Sequence, residues 1–162
     1  TTIEIGFGSR LMTRGFLFNN ELTDFSFRCQ RDGLPIANAV APGKRPRSSM
    51  SPTIVLKDGE PSLVIGSPGG SRIIGYVAKT IIAHLDWGMD VQSAIDMPHL
   101  VIRFGTYDLE EGTDATNLEG PLTEMGFEVN TRGLTSGLHA IAVGDTLSGG
   151  ADPRREGIAL GE

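Results

Sequence analysis

Apolar and polar residues alternate at the start of the chain, with Ile3, Ile5 and Phe7 set against Thr2, Glu4 and Gly6. That period of two predicts a strand with one buried face. A second short strand is expected over residues 15–18, running into the polar, turn-prone residues 19–25. Residues 26–47 carry Gly33, Pro35, Pro42, Gly43 and Pro46 and read as a long loop region, a kind of segment that is often functional. Two apolar runs, 53–57 and 62–66, flank Asp58-Gly59 and predict a hairpin. Ile73, Ile74, Val77, Ile81, Ile82 and Leu85 then recur on one helical face with Lys79 opposite; Ser71 is the candidate N-cap and Gly88 the candidate stop. Shorter helices are expected over 91–96 and 120–125, and strands over 127–129 and 138–143. Trp87 and the phenylalanines are expected in the core. Strands precede and surround the helices without regular alternation, which predicts an α+β fold, an antiparallel sheet with helices packed on it.

Composition narrows this picture. At 162 residues the chain can bury one sizeable core, so a single domain is the default expectation. A net charge of -6 argues against a nucleic-acid partner or an anionic membrane surface, with Lys44, Arg45 and Arg47 as a local exception. The single cysteine, Cys29, excludes an internal disulfide and a zinc site built on several thiolates. His84, His99 and His139 match no metal spacing, so neither metal nor cofactor is expected. His84 falls within the apolar helical face and is read as packed and hydrogen-bonded. No run approaches the roughly 18 apolar residues of a membrane span. The opening Thr1-Thr2 has no initiator methionine and begins as strand, the start expected of a chain cut from a precursor or trimmed.

Two stretches collect hydrogen-bond donors at strand ends. Pro68-Gly69-Gly70 leads from a strand toward a helix, and its backbone N–H groups can hold a negative oxygen, as in the oxyanion hole of an acyl-transfer site. The alternative is a tight connection followed by a cap. Ser48-Ser49, preceded by basic residues, can donate to a carboxylate, or else bond its own backbone in a turn. Glu21 and Asp24, three residues apart at a strand end, suit an ammonium group or form a solvated loop. The Gly-Lys-Ser/Thr ending of a phosphate-binding loop is missing, as are His-Glu-x-x-His and Gly-x-Ser-x-Gly.

Four pieces in order carry a resemblance: Phe7-Gly8-Ser9, Leu17-Phe18-Asn19-Asn20-Glu21-Leu22-Thr23-Asp24-Phe25-Ser26, Lys44-Arg45-Pro46-Arg47-Ser48-Ser49-Met50-Ser51-Pro52-Thr53-Ile54, and Gly66-Ser67-Pro68-Gly69-Gly70-Ser71-Arg72-Ile73-Ile74. Together they resemble the small subunit of γ-glutamyltranspeptidases, and Ala151-Asp152-Pro153-Arg154 extends the likeness toward the end. The resemblance implies the αββα sandwich of N-terminal nucleophile hydrolases, with residues 1–162 completed by a large subunit of the same precursor. It implies acyl transfer or hydrolysis of glutathione-like γ-glutamyl amides through an N-terminal threonine. By position, Ser48 and Ser49 match the residues that bind the substrate α-carboxylate, and Glu21 and Asp24 those that bind its α-ammonium. Gly69 and Gly70 match the oxyanion-hole pair, and Thr2 the threonine that hydrogen-bonds the nucleophile. Bacterial members are often exported, which suggests a periplasmic or extracellular setting.

Two departures stand out. Thr2-Ile3-Glu4 followed by Phe7-Gly8 matches the strand after the family's first hairpin, so Thr1 is not read as the nucleophile, which is expected upstream or lost. Glu4 stands where the family usually has asparagine and adds charge near the donor site. A cephalosporin or glutaryl acylase on the same scaffold, and a non-catalytic amino-acid-binding relative, are the alternatives. The 26–38 stretch lacks a clear equivalent of the long, tyrosine-bearing lid of some members, which leaves hydrolysis and transpeptidation open.

Overall fold

The computed structural model describes residues 11–161, and the chain divides into two compact units, Thr1–Met50 and Ser51–Glu162. The strand expected over residues 2–7, with Thr2 and Glu4, lies outside the described residues.

In the first unit, β1 (Met12–Thr13) pairs with β2 (Phe16–Leu17), shorter than the strand expected over 15–18. A 3-10 turn covers Glu21–Asp24. A second two-residue hairpin joins β3 (Gln30–Arg31) to β4 (Leu34–Pro35), and Ser26 bridges Ala39. Phe25 is buried, whereas Phe16, Phe18 and Phe27 are exposed, so most phenylalanines described here are not core residues. Two-residue hairpins offer no second layer under which an aromatic ring can hide.

The second unit is built on an antiparallel sheet in the order β11-β10-β6-β5. β5 (Thr53–Lys57) and β6 (Glu60–Gly66) are joined by Asp58-Gly59, both at positive φ as a two-residue hairpin turn requires. β10 (His139–Val143) pairs with β6 on one side and with β11 (Leu147–Ala151) on the other. α1 (Ile73–Leu85) and α2 (Val91–Asp96) cover one face of this sheet, α2 capped by the Asp90 side chain, which accepts from Ser93 N at 3.0 Å. Period-two alternation sorts β6: Leu63 and Ile65 enter the core with Ile73, Tyr76, Val77, Ile95 and Leu138, while Val64 points to the opposite, helix-free face, where Ala159 lies against Gly149.

A smaller sheet places β8 (Thr106–Glu110) between β7 (Leu100–Arg103), antiparallel, and β9 (Glu128–Arg132), parallel. A 3-10 turn, Asp114–Leu118, and α3 (Glu119–Glu124) form the crossover that a parallel pair needs. The parallel pair departs from the all-antiparallel expectation. α1 approaches β7 closely because Gly75 has no side chain: a Cβ there would lie 2.8 Å from Val101 Cγ1.

Three expectations for the helical segment are corrected. Ser71 is not the cap, because the chain is already wound into a 3-10 turn over Gly70–Arg72, whereas a capping residue is extended. Lys79 does not face away: its Nζ donates to Met97 O at 2.7 Å beneath the segment that follows α2. Burial, reinforced by the charge of Arg154, pushes its pKa down to about 8. Trp87 is 60% exposed, since α1 ends at Leu85 and the ring falls in the turn beyond it. His84 is half-buried with Nδ1 2.8 Å from Met89 O, in keeping with its packed reading.

Candidate active site

The strand-to-helix junction after β6 is built on two glycines at positive φ, Gly69 at 136° and Gly70 at 57°. At Gly69 the room for a side chain is taken by Tyr76, whose Cε2 would lie 2.7 Å from a Cβ. Gly70 faces open space. Neither amide donates a hydrogen bond to another described residue, so two N–H groups remain available at one turn. The turn is pinned on both sides. Ser67 Oγ donates to Pro68 O at 2.6 Å and accepts from Gly137 N at 3.2 Å. Arg72 reaches across to β8, its Nε 2.8 Å and its second guanidinium nitrogen 2.6 Å from Asp108 Oδ2, with both side chains largely buried. Charge-assisted contacts from two nitrogens fix direction as well as distance.

Behind the turn lies a buried polar cluster that sequence reasoning left without a role. Arg154 binds both Glu110 oxygens, Nε at 2.5 Å from Oε1 and NH2 at 2.8 Å from Oε2, and NH1 lies 3.2 Å from Asp152 Oδ1. Its remaining hydrogen bonds go to the carbonyls of Ile95, Asp96 and Met97 at the end of α2. Burial opposes the charge of Arg154, yet the hydrogen bonds and charge of Glu110 outweigh it and hold the pKa above the ordinary guanidinium value. Burial likewise opposes the Asp152 carboxylate, which is nonetheless held below its usual range by hydrogen bonds from Ser136, Arg154 N and Leu138 N. Asp152-Pro153-Arg154 was visible only as a loose likeness, because Arg154 finds Glu110 and the end of α2 more than 40 positions away and Asp152 finds Ser136 and Leu138 across a turn, none of them at a spacing that a local pattern marks.

His99 is fully buried beside this cluster. Burial, then the charges of Lys79 and Arg154, push its pKa down to about 3. The unfolded imidazole takes a proton near 6.5, so below that pH the unfolded chain binds more protons and stability falls as pH falls. Between pH 7.5 and 5.5 this one residue is expected to remove about 1.4 kcal/mol. Denaturation midpoints at the two pH values check it, and His99→Gln is expected to flatten the difference.

In the first unit, the Glu21–Asp24 turn and the 47–49 segment are brought together by a residue the sequence did not single out. Asn38 Nδ2 donates to Asp24 O at 2.6 Å, and Arg47 N donates to Asn38 Oδ1 at 2.9 Å. Asn19 Oδ1 accepts from Glu21 N at 3.1 Å, and Asn20 O accepts from both Thr23 N and Thr23 Oγ1. Lys44 is spent internally on the carbonyls of Ala37 and Ala39. Ser48 Oγ accepts from Met50 N at 3.2 Å, the local turn weighed as the alternative; the bond occupies the oxygen and leaves the hydroxyl proton for outward donation. A cleft of about 520 Å³ beside the acidic turn is lined by Leu11, Phe18, Asn19, Glu21, Leu22 and Pro46. Thr2 and Glu4 lie outside the described residues.

Comparison with known proteins gives this geometry a family. Among solved structures, the chain is similar to a Helicobacter pylori γ-glutamyltranspeptidase T380A mutant, with a TM-score of 0.82 and 36% identity over 96% of this chain and 91% of that one. It is also similar to the Bacillus anthracis transpeptidase CapD, with a TM-score of 0.71 and 26% identity over 100% and 90%. The class is therefore the α+β fold of N-terminal nucleophile hydrolases, in keeping with the helix-covered antiparallel main sheet. The family model for γ-glutamyltranspeptidase matches residues 1–162, and the chain belongs to that family. A curated relative, the glutathione hydrolase proenzyme of Bacillus subtilis strain 168, is 40% identical over 99% of this chain. That of Escherichia coli K12 is 38% identical over 94%. The chain spans about 28% of the length of each.

Proposed function

We propose that this chain supplies the oxyanion-stabilising and donor-binding part of an enzyme that transfers the γ-glutamyl group of glutathione-like amides to water or an amine. The Gly69–Gly70 turn carries the reading: two available N–H groups, pinned by the buried Arg72–Asp108 pair, in a chain matched to the family along its whole length. A threonine Oγ attacks the γ-carbonyl carbon while its proton passes to that threonine's own α-amine. Negative charge collects on the carbonyl oxygen, which accepts from Gly69 and Gly70. The C–N bond then breaks, the amine leaves with the proton, and water or an acceptor amine resolves the acyl-enzyme.

Glu21 and Asp24 hold the donor's α-ammonium, Ser48 and Ser49 donate to its α-carboxylate, and Thr2 hydrogen-bonds the nucleophile. Glu4 adds negative charge beside the ammonium. A large subunit of the same precursor completes the enzyme. Exposed Ile54, Val64 and Ile141 on the helix-free sheet face and exposed Phe16 and Leu22 in the first unit are consistent with such a covering partner. Curated relatives are named as proenzymes.

The assembled protein is expected to prefer γ-glutamyl-p-nitroanilide over glutaryl-p-nitroanilide by more than about 100-fold in kcat/KM, since losing a charge-assisted contact costs about 1.5–3 kcal/mol and two carboxylates face the ammonium. The opposite preference would make it a glutaryl acylase; glutamate binding by calorimetry without turnover would make it a binding protein. Glu21→Gln is expected to raise KM for the γ-glutamyl donor about tenfold, with kcat within about threefold.

A further inference from the structure

A chain of buried contacts runs from Asp152 to the back of the Gly69–Gly70 turn, and each link is specific. Asp152 Oδ2 accepts from Ser136 Oγ at 2.5 Å and from Leu138 N at 3.0 Å. The Ser136 proton is committed to that carboxylate, so Ser136 Oγ accepts from His99 Nε2 at 2.6 Å, and His99 is the neutral Nε2–H tautomer. Its Nδ1 is consequently a lone-pair acceptor, and it meets no donor among the described residues. An apolar side chain would fill that space without burying an unpartnered nitrogen, so packing alone does not explain an imidazole here. The His99 ring packs on Tyr76 in a tilted contact, centroids 4.3 Å apart and planes at 41°. The Tyr76 ring in turn occupies the volume against which Gly69 is set.

The same loop touches the turn directly. Gly137, next to Ser136, donates to Ser67 Oγ, and a Cβ on Gly137 would lie 2.7 Å from Pro68 Cγ. Arg155 secures the loop by donating to the carbonyls of Ser136 and Thr135. Tyr76, His99, Ser136 and Asp152 are each at most 1% exposed, so solvent does not loosen any link. We propose that Ser136 and His99 are positioning residues that hold the Gly69–Gly70 donor pair through the ring of Tyr76. They touch neither substrate nor reacting atoms. Displacing donors that act chiefly on the transition state lowers kcat while leaving donor binding in place. This inference rests on the acyl-transfer reading above.

The test uses the assembled protein with Ser136→Ala, His99→Leu and His99→Gln, read by steady-state turnover of γ-glutamyl-p-nitroanilide and by hydrogen exchange of the Arg72 amide, which donates to Gly69 O across the turn. Ser136→Ala and His99→Leu are expected to lower kcat at least tenfold with KM within threefold, and to speed exchange of the Arg72 amide about tenfold while the 53–66 hairpin keeps its protection. His99→Gln, which restores an N–H donor, is expected to recover at least a third of the kcat lost in His99→Leu. Unchanged kcat and exchange would overturn the inference, as would a loss of protection spread evenly over the hairpin and the turn. If the unaltered protein turns over no γ-glutamyl donor, the functional reading fails by itself. Exchange of the Arg72 amide then still decides whether the relay holds the turn.

Discussion

Replacing Arg154 by alanine is expected to lower the stability of the folded protein by about 3–5 kcal/mol, the cost of stranding buried charges without their partner. The guanidinium is the hub of its surroundings: it binds Glu110 through two nitrogens, contacts Asp152, and reaches three carbonyls at the end of α2. Its side chain is 12% exposed and those of Glu110 and Asp152 are 9% and 0% exposed, so water cannot replace the lost bonds. Arg154→Lys keeps the charge but not the planar fork, and is expected to recover less than half of the loss. Adding Glu110→Gln to Arg154→Ala removes one stranded anion and is expected to regain part of it. Chemical-denaturation midpoints of the assembled protein measure all three; an Arg154→Ala midpoint equal to that of the unaltered protein would contradict the role assigned to the cluster.

The second large effect separates two adjacent glycines. With the proposed oxyanion role of this turn, Gly69→Ala is expected to reduce kcat for a γ-glutamyl donor about 100- to 1,000-fold, the cost of losing one oxyanion donor. At φ 136° the backbone is in a region closed to an L-residue, and the new Cβ would sit 2.7 Å from Tyr76 Cε2. The ring has no easy retreat because His99 packs against it. Relief must come from the turn itself, carrying its N–H groups away from the oxyanion position proposed for them. Gly70→Ala is different: φ of 57° is left-handed helical, open to other residues at a cost of about 1–2 kcal/mol, and the methyl meets nothing within 4 Å. That variant keeps its N–H and is expected to stay within about tenfold of the unaltered kcat. Equal losses at the two positions would show that the turn acts simply as a flexible joint.

Much of the second unit is legible from local pattern. The hairpin around Asp58-Gly59, α1 over Ile73–Leu85 and α2 over Val91–Asp96 each follow from a period and a terminator that lie within a few residues of one another. β11 escaped notice because Leu147–Ala151 contains two glycines, which lower intrinsic strand preference and are tolerated because β10 and α2 pack against it. β7 and β8 were hidden by a short Phe104-Gly105 turn without the usual Asn-Gly or Asp-Gly signal. Lys79 and Trp87 departed from their expected settings for different reasons: periodicity gives the face of an isolated helix, whereas the chain arriving after α2 decides what lies over Lys79, and Trp87 falls in the turn beyond the end of α1.

The sequence by itself determined the family, the order of the candidate site residues and the glycine pair at the end of β6, since each depends on residue type at fixed short spacing. Only the tertiary structure decided what holds them. Asn38 joins the acidic turn to the serine segment, Asp108 faces Arg72, and Asp152, Ser136, His99 and Tyr76 line up behind Gly69. Buried polar groups find partners wherever the fold brings them, because an unpaired charge in the interior costs more than any local preference can repay. Those partners are set by packing, at separations along the chain that no local pattern encodes.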